Sequence, residues 1–242
     1  MTFDSSRGKT VLFGGIAPNV GANAETWEWD GTQWTEHLVS SPTPRYLTDM
    51  SFDPSRGVAV LFSGRGTGGA DPSDTWEWDG AGWTLRSASG PCARSDHAMV
   101  YDADQGGVLV IGGGVACPEE SSATVWMWSG SEWIEQPTGL LRPISRHGAV
   151  FDSVRHTTVV FGGADNYAGL SAETWESVGG SWEQRAIMGP SSRQGSAMVF
   201  DSVRGASVLF GGVLRNGAMS SETWEWNGTV WALRATTGPS GR

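Results

Sequence analysis

Residues 222–231 have the sequence ETWEWNGTVW, and this stretch decides the fold because variants of it recur along the whole chain. Polar and aromatic residues alternate up to Trp226, which is the period of a half-exposed β-strand. Asn227-Gly228 follows, a pair that favours a tight hairpin turn because both residues accept left-handed backbone conformations. Trp231 then opens another short strand. The stretch therefore predicts an antiparallel hairpin.

This hairpin recurs at intervals of 49 or 50 residues, and all 14 tryptophans belong to it. The leading tryptophans are Trp27, Trp76, Trp126, Trp175 and Trp224, and the closing ones are Trp34, Trp83, Trp133, Trp182 and Trp231. The middle ones are Trp29, Trp78, Trp128 and Trp226, with Ser177 in the fourth repeat. The same period governs an aromatic-Asp pair and a small-residue pair, which end at Asp4, Asp53, Asp102, Asp152 and Asp201, and at Gly15, Gly64, Gly113, Gly163 and Gly212. A fixed period of this length is typical of solenoids, propellers and arrays.

Each repeat contains four predicted strands, which in the fifth repeat are residues 196–200, 207–210, 222–226 and 231–234. Four antiparallel strands form a blade, and blades arranged radially bury both sheet faces against their neighbours. The sequence therefore predicts a single all-β propeller of five four-stranded antiparallel blades. The approximate blade bounds are 1–44, 45–93, 94–141, 142–192 and 193–242. We expect the tryptophans to supply the packing between blades, since burying such an aromatic is worth roughly 2–3 kcal/mol.

The motif set resembles the kelch repeat. It comprises Leu-Phe-Gly-Gly at 12–15 and 209–212, then Thr-Trp-Glu-Trp, an Asp-Gly-x-x-Trp turn and Pro-x-x-Arg, and it covers essentially the entire chain. The resemblance implies a kelch-type propeller with the first strand of each blade at the central channel and the fourth at the rim. The Trp-Glu-Trp variant resembles repeats of bacterial extracellular proteins. The departures are Ser63 for a glycine, Gln105 for the turn arginine, and Ser177-Val178 for Trp and Asp.

The first and last residues of the sequence align with internal repeats. Residues 1–4 match 198–201, and residues 238–242 match 189–193. Five blades could therefore close into a ring, which predicts a monomer. The alternative is a run of repeats from a longer array that another copy completes.

Charge and hydropathy exclude two classes of partner. The net charge of −10 argues against nucleic acid, which requires clustered Lys and Arg. The longest apolar run is far shorter than a membrane span, so we expect no membrane insertion. The repeated glutamates are expected to solvate the rim and to pair with turn arginines; they are Glu25, Glu28, Glu77, Glu173, Glu176, Glu222 and Glu225.

Two cysteines bear on the cellular compartment. Cys92 lies in the loop before the third repeat's first strand, and Cys117 follows that repeat's second strand. Both loops are expected on the same face, so a disulfide is geometrically plausible. A disulfide favours an extracellular or periplasmic protein. The alternative is two unpaired small residues in a cytosolic protein.

The loops between the second and third strands differ most among repeats, and loops carry specificity on a shared scaffold. They are residues 16–24, 65–73, 114–123, 164–172 and 213–221. The kelch resemblance places them on one face together with the loops between blades. Candidate ligand-binding residues on this face are Asn19, Arg65, Asp71, Glu119, Glu120, Asn166, Tyr167, Leu214, Arg215 and Asn216. The arginines expected to hold the interblade loops are Arg45, Arg94, Arg146, Arg193 and Arg242.

Catalytic signals are few. His97 and His147 occupy equivalent places beside the channel mouth, with Asp49 and Asp96 near them. These side chains could serve a metal site or an acid/base pair, or they could have an ordinary framework role, and we predict the framework role. The resemblance to galactose oxidase, a copper enzyme on a kelch propeller, fails because no set of Tyr, Cys and two His can be assigned. We predict no cofactor and no metal. We predict a noncatalytic binding or scaffold module that recognises a protein or glycan through the loop face. One alternative is a small-molecule or glycan-processing enzyme at the channel mouth, and another is a structural or engineered propeller without a ligand.

Overall fold

A computed structural model of the protein describes residues 1–17, 21–69, 71–117, 123–138, 142–165, 169–178, 180–185 and 188–241. Its main strands form five four-stranded antiparallel sheets arranged as the blades of a propeller, which confirms the predicted fold class. In chain order the sheets contain Thr2–Asp4, Lys9–Ala17, Gly21–Trp29 and Trp34–Glu36; Asp49–Asp53, Val58–Phe62, Thr75–Trp78 and Trp83–Ser87; Ala98–Asp102, Gly107–Ile111, Val125–Trp128 and Trp133–Gln136; Gly148–Asp152, Thr157–Phe161, Thr174–Val178 and Ser181–Arg185; Ala197–Asp201, Ala206–Phe210, Thr223–Trp226 and Trp231–Ala235. Strands within a sheet lie side by side in chain order.

Short strand pairs extend four of the blades. They are Arg45–Tyr46 with Arg65–Gly66, Arg94–Ser95 with Gly114–Val115, Ala164–Asp165 with Gly169–Leu170, and Arg193–Gln194 with Val213–Leu214. The first blade differs, because its predicted loop at 16–24 continues the ladder and pairs Ile16 with Ala22. The described helical segment is the 3-10 turn Thr67–Gly69, and no helix in the described ranges is long and apolar enough to cross a membrane.

The first strand of each sheet lines an open central channel of about 550 Å³. One aromatic side chain from each sheet contributes to its wall; these are Phe3, Phe52, Tyr101, Phe151 and Phe200. Each precedes the repeated aspartate, whose carboxylate accepts backbone hydrogen bonds in the following turn. Asp53, for example, accepts from the N–H groups of Ser55 at 2.9 Å and Arg56 at 3.2 Å. The repeated aspartate therefore closes the turn between the first two strands.

Packing between consecutive sheets buries six of the nine middle and closing tryptophans, which are Trp78, Trp83, Trp128, Trp182, Trp226 and Trp231. Trp78 and Trp83 of the second sheet lie in a cluster with Val11 and Phe13 of the first. The indole nitrogen of Trp83 donates to Thr26 Oγ1 at 2.8 Å, across the junction. Trp83 is 9% exposed, as the prediction of interblade tryptophan packing requires.

The middle glutamate of a repeat is buried rather than solvated at the rim, so that part of the prediction is wrong. Glu28 accepts hydrogen bonds from Arg7 at 2.6 Å, Lys9 at 3.0 Å and, from the next sheet, Trp78 at 2.9 Å. Burial raises the pKa of Glu28, but these hydrogen bonds outweigh it and lower the pKa to about 2. The other buried members of this set are Glu77, Glu176 and Glu225. Burial is tolerated because each carboxylate is paired and hydrogen-bonded.

The third repeat lacks this ion cluster. Met127 stands in place of the buried glutamate, and Gln105 and Gln136 stand in place of the two cations that flank it elsewhere. Ser177 of the fourth sheet replaces the tryptophan that would donate to that glutamate. The departures at Gln105 and Ser177 therefore belong to one junction, between the third and fourth sheets.

The first and fifth sheets are less covered than the three between them. Trp34 of the first sheet is 44% exposed, whereas the closing tryptophan Trp83 of the second sheet is 9% exposed. On the inner strands, Phe3 and Val199 are also exposed. The contact between the fifth and first inner strands is thinner than each contact between consecutive inner strands. Closure into a monomeric ring stays a prediction.

Candidate functional site: a pocket on the loop face

Buried arginines hold the loops that connect one blade to the next. Arg45, Arg94 and Arg193 are fully enclosed at the start of the second, third and fifth blades. Each Nε donates to the carbonyl oxygen two residues earlier, which belongs to Thr43 (3.0 Å), Cys92 (3.2 Å) and Ser191 (3.0 Å), respectively. Each Nη1 donates to a carbonyl oxygen just after the blade's second strand, which belongs to Ser63 (3.2 Å), Gly112 (2.9 Å) and Gly211 (3.0 Å). We call the space that such a guanidinium fills the arginine slot.

A side-chain acceptor just before the third strand completes each slot. Arg45 Nη1 donates to Asp74 Oδ1 at 2.6 Å, and Arg193 Nη2 donates to Glu222 Oε2 at 2.6 Å. Arg94 uses the hydroxyl of Thr124 at 3.2 Å. A planar guanidinium suits this arrangement because it presents five N–H donors in a fixed geometry.

A belt of backbone hydrogen bonds fixes the register of the four interblade loops. The N–H of Asp96 donates to the Leu47 carbonyl at 3.1 Å, that of Arg146 to Asp96 at 2.8 Å, and that of Gly195 to Arg146 at 2.7 Å. All four residues have positive φ, from 52° to 66°. In the second, third and fifth blades a slot arginine lies two residues before the belt residue. In the fourth blade Ile144 occupies that position. The prediction that Arg146 belongs to the arginine set is therefore wrong.

Arg146 has a different role. It lies on the belt, half-exposed, and its Nε forms an ion pair with Asp96 Oδ1 at 3.2 Å. The sequence misled because residues 143–146 imitate the Pro-x-x-Arg pattern two positions late. Counting back from the turn aspartate would have identified Ile144 as the residue at the slot position. Each slot arginine precedes the turn aspartate of its blade by eight residues, and Ile144 precedes Asp152 by eight. Arg146 precedes Asp152 by six.

The isoleucine leaves a pocket of about 220 Å³ on the loop face of the fourth blade. Ile144 and Leu170 contribute apolar wall, Trp175 lies at the base, and Arg142 and Glu173 contribute charge. Glu173 matches Asp74 and Glu222 in sequence position, so the slot acceptor is still present. Glu173 Oε2 accepts from the Trp175 indole at 3.0 Å, and Oε1 lies 3.8 Å from Nε of Arg142. The loop 164–172 was predicted to lie on the binding face and Glu173 was predicted to solvate the rim, whereas Arg142 and Ile144 were not predicted.

The loop residues predicted to bind a ligand that the structure describes lie in two different blades. Arg65 and Asp71 approach each other in the second blade, with Nε and Oδ2 4.0 Å apart. Arg215 and Asn216 lie in an exposed turn of the fifth blade, where Asn216 Oδ1 accepts from the Ala218 N–H at 3.0 Å. Leu214 pairs with Arg193 in the short strand Val213–Leu214. The other candidates lie outside the described residues; they are Asn19, Glu119, Glu120, Asn166 and Tyr167.

Of the channel-mouth candidates, His97 and His147 are buried and Asp49 is partly buried. His97 and His147 pack beside the glycine pairs that end the second strands, at the position that Thr48 and Ser196 occupy in other blades. Burial lowers the pKa of His97 to about 3 and that of His147 to about 4, so both rings are neutral at pH 7. Asp49 accepts from the N–H groups of Met50 and Met99, each at 2.8 Å, while burial raises its pKa. Within the described ranges, no three His, Cys, Asp or Glu side chains form a set that could hold a metal ion.

The two cysteines meet on the same face. The structure joins Cys92 to Cys117 in a disulfide, with Cα atoms 6.1 Å apart. The bond ties the interblade loop of the third blade to the segment after that blade's second strand. It therefore adds a covalent constraint beside the Arg94 slot.

Together these features define a five-bladed β-propeller whose loop face carries a small pocket in the fourth blade. The solved structure of YjhT is similar to it, with a TM-score of 0.75 and 14% sequence identity over 96% of this chain and 82% of that one. This likeness shows the propeller fold. No family model and no curated protein matches the sequence.

Proposed function

We propose that this protein is a noncatalytic kelch-type binding module that recognises a protein or glycan partner through its loop face. The observation that carries the proposal is the fourth-blade pocket, which lies where the repeat is broken. Positions shared by all blades serve the scaffold, whereas an opening in a single blade supplies a distinct surface. An extracellular or periplasmic location is part of the proposal, supported by the disulfide.

The pocket has the composition of a recognition site. Apolar walls from Ile144 and Leu170 lie beside the charges of Arg142 and Glu173. Its volume of about 220 Å³ is below the roughly 300 Å³ at which pockets for whole small molecules begin, so it fits one side chain or one substituent of a larger partner. A group inserted there would anchor a partner that covers the surrounding loops.

The enzymatic alternative would rely on His97 and His147. Both rings are more than nine-tenths buried, so a substrate could reach neither of them without displacing the loops above. The loop-face pocket, in contrast, is open to solvent. The geometry thus favours binding over catalysis as the use of this face.

A binding screen with a pocket-filling variant tests the proposal. Labelled protein would be applied to a glycan array and to a displayed peptide library, alongside Ile144→Arg, which restores the arginine of the other slots. Ile134→Arg adds the same charge on an exposed outer strand and serves as the control. We expect ligands that bind the wild type and the control but not Ile144→Arg. Binding that Ile144→Arg leaves unchanged, or catalytic turnover of a bound compound, would overturn the proposal.

A further inference from the structure

The fourth-blade pocket is the unfilled counterpart of three arginine slots in the same chain. Arg45, Arg94 and Arg193 fill their slots with fully buried guanidinium groups. Of the four slot positions 45, 94, 144 and 193, position 144 alone has a residue without a guanidinium group. The pocket lies in the blade of that residue, Ile144. These slots thus show, within one molecule, which chemical group this loop geometry accommodates.

Residues that match the slot acceptors in sequence position are present in the fourth blade. The carbonyls of Arg142 and Gly162 match those that receive Nε and Nη1 of the other arginines, and Glu173 matches Asp74 and Glu222. Ser171 matches Ser220, whose hydroxyl accepts from Arg193 Nη1 at 3.2 Å. The donor side of the arrangement has been lost, whereas the acceptor side has been kept.

The nearest cation of the chain does not occupy the slot. Arg142 is 64% exposed, and its Nε lies 3.8 Å from Glu173, whereas Arg45 and Arg193 each lie 2.6 Å from the carboxylate of their slot. At that separation the pair lacks the direct charge-assisted hydrogen bond that the Arg45 and Arg193 slots contain. The Glu173 carboxylate can therefore accept from a further cation at the pocket.

We infer that this pocket binds a guanidinium group, supplied by an arginine side chain of a partner protein. A guanidinium meets the retained acceptors with the same planar donor geometry as the other slot arginines, and its aliphatic stem would lie along Ile144 and Leu170. A neutral group of similar shape, such as the ureido group of citrulline, carries no charge and has fewer N–H donors than a guanidinium. The inference rests on the proposed function and names the chemistry of its ligand.

Titration with arginine and citrulline derivatives tests the inference. The probes are Nα-acetyl-arginine amide and Nα-acetyl-citrulline amide, which differ in shape only slightly but differ in charge. Binding would be followed by NMR through the Ile144 and Leu170 methyl groups and the Trp175 indole N–H. We expect saturable shifts with the arginine compound and binding at least about tenfold weaker with the citrulline compound. Methylguanidinium serves as a further probe, and its binding would also support a guanidinium site.

Two variants locate the binding. Glu173→Gln keeps an oxygen acceptor for the Trp175 indole but removes the charge, so it should weaken arginine binding by about tenfold or more, while Glu132→Gln on an exposed turn should not. Ile144→Arg should abolish binding, and Ile134→Arg should retain it. Equal binding of both derivatives, or equal binding by Glu173→Gln and the wild type, would overturn the inference. The proposed function would survive that result if the screen yields other ligands that Ile144→Arg excludes.

Discussion

The junction between the second and third sheets differs from the junction between the third and fourth in the side-chain polar contacts that the repeat provides, although both share the belt of backbone hydrogen bonds. At the former, Glu77 accepts from Arg56, from Arg86 at 2.6 Å and from Trp128 at 2.9 Å, and the slot contains Arg94. At the latter the corresponding residues are Met127, Gln105, Gln136, Ser177 and Ile144. A buried charge left without its partners is costly, so its carboxylate, cations and indole donor are best lost together.

The third–fourth junction is held by apolar packing instead. Val125, Ile144 and Trp182 belong to one buried cluster, against which Met127 packs. Its side-chain polar contacts involve other positions of the repeat. For example, Nδ1 of His156 lies 2.7 Å from Oδ1 of Asp104. The comparison teaches that one propeller can use two solutions for the same junction, and that the apolar solution leaves a pocket on the loop face.

The largest effect is expected from Glu77→Ala. Removing this carboxylate leaves two arginines and the Trp128 indole without their acceptor, which should lower the free energy of unfolding by about 3–5 kcal/mol. At the equivalent position, Met127→Leu should cost less than about 1.5 kcal/mol. Urea denaturation would measure both. Similar losses in the two variants would show that the junctions do not differ in the way described.

A smaller effect is expected when the third slot is converted to the fourth type. Arg94→Ile should destabilise by about 3 kcal/mol, because carbonyl acceptors lose a charged donor in a buried site. Arg65→Ile, at an exposed position, should change stability by less than about 0.5 kcal/mol. Thermal unfolding followed by circular dichroism would compare them. An Arg94→Ile variant as stable as the control would break the account of the slot.

The reverse exchange should stabilise the protein. Ile144→Arg fills the pocket with the side chain found in the other slots, and cavity filling of this kind commonly adds about 0.5–2 kcal/mol. Ile134→Arg is the matched control. Urea midpoints would be read under the same conditions. Destabilisation by Ile144→Arg alone would mean that the retained acceptors are not positioned as a slot.

A further effect concerns acid stability. The pKa of Glu28 is about 2 in the folded state against its ordinary 4.5, so its contribution to stability is present above pH 4.5 and is lost as the pH falls towards 2. Glu28→Gln should therefore make the loss of stability between those pH values shallower. Denaturation midpoints measured across this range would test it. An unchanged slope would indicate that the glutamate cluster does not govern acid unfolding.

Much of the fold could be predicted because the repeat gives each feature five times. The Trp-x-Trp alternation predicted the third strand, and the Asn-Gly and Asp-Gly turns predicted the outer hairpins. The burial of Glu28 could not be predicted, since its acceptor role depends on Trp78, which lies 50 residues away in sequence. A charged residue alone in a strand is usually solvated.

The candidate site was harder to predict because it arises from an exception to the repeat. The sequence pointed to polar residues in variable loops, such as Arg65 and Asn216. The pocket depends instead on Ile144, an apolar residue at the position eight residues before the turn aspartate. Ile144 stands out when positions are counted from the turn aspartate, and the belt of backbone hydrogen bonds fixes the same register. The substitution of Gln105 was visible in the sequence, but its link to Met127 and Ser177 required the packing of neighbouring sheets.

The most direct test of the arginine-slot account is a crystal structure of the protein grown with Nα-acetyl-arginine amide. The account predicts the guanidinium of the added compound in the fourth-blade pocket, hydrogen-bonded to the Glu173 carboxylate and the Gly162 carbonyl. A structure in which the side chain of Arg142 folds into the pocket and excludes the compound would contradict it.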